Sequence, residues 1–297
     1  MDVPFYWVDV FATRPLAGNP LALVPDADLL PEETMRSIAR ELNQSETTFL
    51  VRADAGLPAD HRLRSFTPAG VEVFGAGHNA MGAWIWLAGS GRLDPGRDTF
   101  VQQIGADLLE VRVTGRLVTM EQSAPRFLGR VEDGAALAAA LGLGVADLAD
   151  GRVAEVVSTG AEHLLVPLRD APAVDRAAPD TAVLRHLLAD AGAEGCYVWA
   201  PHPDDPGVTA YTRFFNPTVG IAEDPATGTA AGPLAAVLVR DGLATDPARV
   251  VVEQGRALGR PSLITLGADG AAVTITGTGV VVGQGAFHLG DPKPTAL

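Results

Sequence analysis

The sequence predicts an α+β protein of two similar domains, each a barrel-like, mostly antiparallel sheet around one central helix. Short β-branched runs bounded by Gly, Pro and Asp recur along all 297 residues, which is typical of a strand-rich fold. Two segments, 77–91 and 224–242, are apolar on nearly every side, as helices buried on all faces are. The pattern R-x-F-x-P precedes both of them, as "RSFTP" and as "RFFNP". We therefore interpret the chain as an internal duplication.

The other elements follow from local patterns in chain order. The opening "FYWVDVF" predicts the first strand, and "PEETMRSIARELN" places Met35, Ile38, Ala39 and Leu42 on one face of an amphipathic helix. Strands are predicted at "TTFLV", "LEVRV" and "LVTMEQ" before a crossover stretch, "EQSAPRF". Beyond it, "ALAAALGLG" and "DTAVLRHLLADAG" predict helices among further strands such as "HLLVPL", "CYVWAP" and "RVVVEQG". The predicted domains are 1–121, completed by a closing strand at 281–297, and 127–280.

Composition excludes several classes of function. A net charge of -14 and a pI near 4.7 argue against nucleic acid or an anionic membrane surface as a partner. No apolar stretch is long enough to span a bilayer, and the start lacks a basic leader, so we expect a cytoplasmic protein. The single cysteine, Cys196, excludes an intramolecular disulfide and a thiol pair. The histidines have no metal-ligand spacing and no phosphate-binding glycine motif is present, so we expect no metal and no other cofactor.

The starts of the two buried helices are candidate anion sites. The unpaired N–H groups and the dipole of a helix N-terminus favour a carboxylate or a developing enolate. "FGAGHNAMG" places Gly77 and His78 at one start, and "EDPATGTAAG" places Asp224, Gly228 and Thr229 at the other. An ordinary structural role is an alternative, because Asp before Pro is also typical of a helix N-cap and a histidine can simply satisfy a backbone carbonyl.

A third candidate is Glu46, in "LNQSETTFLV", where the helix pattern meets a strand pattern. Moving a proton between carbons beside an unsaturated system requires a base that returns the same proton. A carboxylate suits that task when partial burial brings its pKa near neutrality.

These motifs together resemble one known family. "VDVFATRPLAGNPLALV", "ARELNQSETTFLV", "RSFTPAGVEVFGAGHNAMG", "STGAEHLLVPL", "RFFNPTVGIAEDPATGTAAGPLAAVL" and "VEQGRALGRPS" occur in the order expected for the phenazine-biosynthesis isomerase-like (PhzF-like) family. That family shares the diaminopimelate epimerase fold, and the resemblance implies two similar barrel-like domains. It also implies a homodimer and a small anionic substrate.

The resemblance assigns roles to individual residues. It implies that Glu46 transfers the proton, that His78 lies beside the substrate and that Asp224 is the second catalytic acid. The substrate-binding residues that it implies are Asn19, Ser45, Gly77, Asn79, Gly228 and Thr229. Asn19 and Ser45 are also typical turn residues, which is the alternative interpretation for both. Asn79 replaces a proline, and Thr229 a serine, of the family's better-known pattern.

The resulting hypothesis is a cofactor-independent isomerase that moves a proton between carbons of a small, cyclic, carboxylate-bearing substrate similar to trans-2,3-dihydro-3-hydroxyanthranilate. The alternative is a non-catalytic small-molecule-binding or regulatory homologue that keeps the binding residues. Two-thiol racemases of the same fold are excluded, because Gly, Ala, His and Thr stand where they have cysteine. A serine hydrolase is disfavoured because the sequence has no G-x-S-x-G motif.

Overall fold

The computed structural model describes residues 1–202, 205–270 and 272–290. The strands of the first part of the chain are β1 Asp2–Val10, β2 Asn19–Val24, β3 Thr47–Val51, β4 His61–Phe66, β5 Glu72–Val73, β6 Thr99–Ile104, β7 Asp107–Thr114, β8 Leu117–Gln122 and β9 Arg126–Val131. Those of the remainder are β10 Ala154–Ser158, β11 Glu162–Pro167, β12 Gly195–Pro201, β13 Ala210–Asn216, β14 Ile221–Asp224, β15 Val250–Gln254, β16 Ser262–Gly267, β17 Val273–Gly277 and β18 Gly279–His288. The α-helices are α1 Glu32–Leu42, α2 His78–Ser90, α3 Gly134–Ala140, α4 Ala171–Arg176, α5 Thr181–Ala191 and α6 Gly228–Arg240.

Contacts divide the described chain into two compact units. The first contains residues 1–16, 20–118 and 278–290, and the second contains 17–19 and 119–277. The predicted closing strand at 281–297 overlaps β18, whereas residues 291–297 lie outside the described residues.

The first unit is a sheet around α2. Strand β1 pairs with β18 and β2, and β2 runs parallel to β3. Strand β4 is antiparallel to β3 and β5 and parallel to β6, which continues antiparallel into β7. Helix α2 packs against β1, β3 and β18, and a Cβ added to Gly82 would meet the side chains of Val10 and Leu21 within 3 Å. The helix is therefore apolar all round because the sheet covers it on several sides.

The amphipathic helix α1 packs against β3 and β4 of the same sheet. Its buried residues Met35, Ile38 and Ala39 pack in one cluster with Phe49 of β3 and Phe66 of β4. The apolar residues at helical spacing thus face inward, as the sequence pattern predicted.

The second unit repeats the connectivity of the first. Strand β10 pairs with β9 and β11, β11 runs parallel to β12, and β12 is antiparallel to β13. Strand β13 is also antiparallel to β14 and parallel to β15, which continues antiparallel into β16 and β17. Strand β8 closes on β17. Helix α6 packs against β10, β11, β16 and β17, so it holds the same central position as α2.

The R-x-F-x-P motif makes the same contacts in both units. Arg64 forms a bidentate ion pair with Glu72, at 2.7 and 2.8 Å, and its guanidinium lies 5.1 Å from the ring centre of Phe66. Arg213 pairs with Glu223 in the same way, at 2.9 and 2.8 Å, and lies 4.9 Å from the ring centre of Phe215. The motif therefore ties a short strand to its neighbour ahead of each central helix, and the predicted α+β fold with two similar halves is confirmed.

The structure differs from the local patterns in several places, and one of them is the predicted crossover at 121–127, within which β9 begins at Arg126. Helix α6 begins at Gly228 rather than near Asp224, because Asp224 ends β14 and pairs with Phe214 of β13. A short helix, α4, whose six residues are too few to show a period, was not predicted. None of the helices in the described part of the chain is long and apolar enough to cross a membrane.

Candidate functional site

In the first unit, Glu46 and His78 lie side by side. Glu46 immediately precedes β3, and its side chain is 19% exposed; His78 opens α2, and its side chain is 11% exposed. Glu46 Oε2 lies 3.9 Å from His78 Nδ1, too far for a hydrogen bond but close enough to share one ligand. The Ser45 hydroxyl lies 3.4 Å from the other ring nitrogen, Nε2. The structure thus brings together three of the predicted residues from a loop and a helix start.

His78 is a neutral imidazole at ordinary pH. Burial lowers its pKa from 6.5 to about 4, because the buried cation would lose its hydration. A neutral imidazole has one donor nitrogen and one acceptor nitrogen, so His78 can form a hydrogen bond with a ligand without adding a charge.

Asn79 holds the loop that leads into α2. Its Oδ1 accepts from the Gly77 N–H at 2.8 Å, and its Nδ2 donates to the Gly75 carbonyl at 2.9 Å and to the Ser65 hydroxyl at 3.1 Å. Asn79 is 2% exposed, and both amide donors are engaged within the protein. Its contacts therefore shape the Gly77 turn, and the predicted role of Asn79 in binding substrate stays a prediction.

In the second unit, Asp224 is a buried carboxyl held by two side-chain donors. Asn19 Nδ2 donates to Asp224 Oδ1 at 2.9 Å and to the Ala226 carbonyl at 2.8 Å, and the Thr227 hydroxyl donates to Asp224 Oδ2. Burial raises the pKa of Asp224 from 3.8 to about 6, although these two donors oppose the rise. The carboxyl thus titrates near neutrality, the property that a catalytic acid or base needs. The helix N-cap alternative for Asp224 is wrong, since the N-cap of α6 is Thr227.

Asn19 reaches Asp224 because residues 17–19 belong to the second unit, where further hydrogen bonds hold them. Arg260 donates to the carbonyls of Gly18 and Ala17, at 2.8 and 3.0 Å, and the Gly18 N–H donates to the Pro261 carbonyl. The alternative interpretation of Asn19 as a plain turn residue does not account for its burial, 1% exposed, beside Asp224.

Both central helices begin without a side-chain cap. The N-cap residue of α2, Gly77, has no side chain to accept a hydrogen bond. Within the described residues, the side chain of Thr227, the N-cap residue of α6, bonds no backbone N–H of the first turn. Neither first turn contains an acidic residue. The starts of both helices, with Gly77 at one and Gly228 and Thr229 at the other, therefore keep the positive partial charge that favours an anion.

The sequence pattern did not reveal three neighbours of these groups. His163, predicted only as a strand residue, lies on β11 with Nε2 3.2 Å from the Thr229 hydroxyl. Gln254 and Thr227 bond to each other and to Asp224. The stretches "EHLLVPL", "VEQG" and "EDPATG" that contain them carry the family resemblance, which was the available signal.

The two units differ where their backbones correspond. Thr47 of β3 pairs with Phe66, and Cys196 of β12 pairs with Phe215, so the position before Thr47 corresponds to the position before Cys196. Glu46 stands at the first position and a glycine at the second, and a Cβ at that glycine would meet Phe214 within 3 Å. After duplication, therefore, only the first unit carries a carboxylate at this point.

Within the described residues, no group of His, Cys, Asp or Glu side chains comes together that could hold a metal ion. Cys196 is fully buried on β12, and burial raises its pKa to about 12. Such a thiol is a packing residue rather than a nucleophile.

The family described as phenazine biosynthesis-like protein matches residues 8–285 of this chain. A trans-2,3-dihydro-3-hydroxyanthranilate isomerase of Pseudomonas fluorescens is 35% identical, over 95% of this chain and 98% of that protein. An uncharacterised isomerase of Escherichia coli K12 is also 35% identical, over 97% of this chain and 98% of its own length. Among solved structures, a PhzF-family protein of Bacillus anthracis is 28% identical with a TM-score of 0.89, over 97% of this chain and 100% of that one.

Proposed function

Because this chain belongs to the phenazine biosynthesis-like protein family, we propose that it isomerises a small cyclic carboxylate by moving one proton between two carbons without a cofactor. The predicted family and the predicted enzyme class, an isomerase, are confirmed by the relatives. The substrate that the relatives' names support is trans-2,3-dihydro-3-hydroxyanthranilate or a close analogue. The observation that carries the proposal is the half-buried Glu46 carboxylate beside the neutral imidazole of His78.

Glu46 is the proton carrier in this proposal. Its carboxylate takes a proton from one carbon, the electron pair delocalises over the adjacent unsaturated system, and the resulting acid returns the same proton to a second carbon. No atom is gained or lost, so the product is an isomer. General acid–base catalysis of this kind contributes about 10²–10⁴-fold in rate.

His78 and Asp224 handle the polar groups of the substrate. Neutral His78 supplies a hydrogen bond beside the carbon that reacts, and Asp224, with a pKa of about 6, protonates or deprotonates a heteroatom near neutral pH. The net charge of -14 repels an anion, so a substrate carboxylate must be attracted by local groups. The uncapped starts of α2 and α6, with Gly77, Gly228 and Thr229, supply that local attraction in this proposal. That the substrate is a small anion and that the protein is a homodimer stay predictions. Light scattering measures the oligomeric state.

The test is turnover in heavy water with trans-2,3-dihydro-3-hydroxyanthranilate, followed by mass spectrometry of the product. We expect limited deuterium incorporation, because a carboxylate shielded from water returns most of the proton that it takes. Glu46→Gln should lower kcat by at least about 100-fold. The matched control, Glu41→Gln, changes an exposed glutamate at the end of α1 and should leave kcat unchanged.

An unchanged rate in Glu46→Gln would eliminate Glu46 as the carrier. Calorimetry separates the alternative function: a wild-type protein that binds the substrate without converting it would be the binding or regulatory homologue.

A further inference from the structure

The amide of Gln254, at the end of β15, is completely buried in a network that surrounds Asp224. Gln254 Nε2 donates to the Asp224 carbonyl at 2.8 Å and to the Thr227 hydroxyl at 3.1 Å. Gln254 Oε1 accepts from the Thr227 N–H at 3.1 Å and from the Tyr197 hydroxyl at 2.9 Å. One side chain therefore contacts both ends of the turn that joins β14 to α6.

The chemistry of these groups fixes the direction of each hydrogen bond. An amide nitrogen only donates, so the Thr227 oxygen must accept from Gln254 Nε2. A hydroxyl has one hydrogen, and the other neighbour of the Thr227 oxygen is the Asp224 carboxylate, which accepts when it is ionised. The Thr227 hydrogen is thereby directed to Asp224 Oδ2, while Asn19 donates to Oδ1.

We propose that Gln254 is a positioning residue whose amide keeps the Thr227 hydroxyl turned toward Asp224 and so holds the carboxyl in one orientation. This proposal rests on the proposed function in taking Asp224 as the second acid of the reaction. Fixed donors on both oxygens leave one lone pair of each free for a ligand, so the carboxyl meets the substrate with a defined face.

The surroundings of Asp224 make its titration a sensitive reporter of this arrangement. Among the described residues, the titratable groups that act on Asp224 are Glu223, the preceding residue of β14, and Tyr197 of β12. Glu223 is held in its ion pair with Arg213, and burial keeps the Tyr197 phenol neutral by raising its pKa. Burial raises the pKa of Asp224, and the hydrogen bond from Thr227 is the largest of the effects that lower it.

The test is an NMR titration of ¹³C-carboxyl-labelled aspartate, with the Asp224 signal assigned from its loss in Asp224→Asn. Thr227→Val removes the donor and should raise the pKa of Asp224 by about one pH unit, since two or three such bonds lower a carboxyl pKa by about two. Thr227→Ser keeps the hydroxyl and should titrate like the wild type.

Gln254→Met keeps the length of the side chain, adds no charge and removes the amide that donates to the Thr227 hydroxyl. Because that hydroxyl is then no longer held toward Asp224, the pKa of Asp224 should rise by part of the amount expected for Thr227→Val. The double variant should not exceed Thr227→Val alone, because both changes act through one donor.

Gln103→Met is the matched control. Gln103 of β6 is also buried, at 1% exposure, and its amide bonds Asp54 and the Gly105 carbonyl within the first unit. It should lose stability without moving the titration of Asp224. A wild-type titration in Gln254→Met would overturn the proposal. If that variant does not fold, an unchanged pKa in Thr227→Val would overturn it instead.

This titration requires no substrate, so its outcome is separate from that of the turnover assay. Shifts as expected with no isomerase activity would refute the proposed function and leave the positioning role of Gln254 in place. Activity without the shifts would refute only the positioning role.

Discussion

Replacing Asp224 by Asn should remove activity and yet stabilise the fold at neutral and alkaline pH. Burial raises the pKa of this carboxyl from 3.8 to about 6, which means that the folded state binds its proton more tightly than the unfolded state. The free energy of unfolding therefore falls as the pH rises between those two values. At about 1.4 kcal/mol per pH unit, the wild type loses about 3 kcal/mol across the window, and a neutral amide loses none of it.

The substitution of Asp224 by Asn also lowers the stability of the fold, because it removes a hydrogen bond. With Asn at position 224, the amide nitrogen faces the Thr227 hydroxyl, whose hydrogen then loses its acceptor, at a cost of about 1 kcal/mol. Asp224→Asn should thus be more stable than the wild type by about 2 kcal/mol near pH 8 and less stable by about 1 kcal/mol near pH 4.

Urea unfolding of both proteins across that pH range, followed by circular dichroism, measures the difference at each pH. Asp147→Asn is a control of opposite sign: the Gly144 backbone N–H and the Arg176 guanidinium lower the pKa of Asp147, so its loss should destabilise more as the pH rises. A stability difference for Asp224→Asn that is the same at every pH would refute the argument from burial.

Further predictions concern packing, ion pairs and the thiol. Gly232→Ala should destabilise the fold by about 1–3 kcal/mol in thermal unfolding, because the new methyl group clashes with the glutamine amide of β8. Gly89→Ala in α2 should stabilise the fold by about 0.5–1 kcal/mol, because there the methyl group meets no atom of the described residues within 4 Å. Arg213→Lys should cost about 1–3 kcal/mol in urea unfolding, since lysine cannot form the bidentate pair with the glutamate of β14, whereas the exposed Arg112→Lys should change stability by less than about 0.5 kcal/mol. Cys196 should fail to react with a thiol reagent until the protein unfolds, and fast labelling of the native protein would contradict its burial.

Local periodicity was sufficient to predict the elements whose cause is local. Helix α1 follows from apolar residues at helical spacing, and the central positions of α2 and α6 follow from sequences that are apolar on all sides. The repeated R-x-F-x-P motif predicted the duplication, because its arginine makes the same ion pair and ring contact in each unit.

The proximity of Glu46 to His78 was predictable only through the family resemblance. The two residues are far apart in sequence, and no periodicity relates a loop glutamate to a histidine at the start of another helix. The packing of α2 against β3 brings the carboxylate of the residue before β3 to 3.9 Å from the imidazole at the start of α2.

By itself, the sequence determined the fold class and the two buried helices, and it supplied the short set of candidate residues for proton transfer. The tertiary structure alone decided that Asp224 ends a strand instead of capping a helix, because pairing with β13 competes with the helical turn. It also decided that Asn19 and Gln254 surround Asp224, since hydrogen bonds between residues 205 and 30 positions apart depend on how distant strands pack. A sequence pattern records the preference of each segment, whereas the pKa of a buried carboxyl depends on which side chains the fold gathers around it.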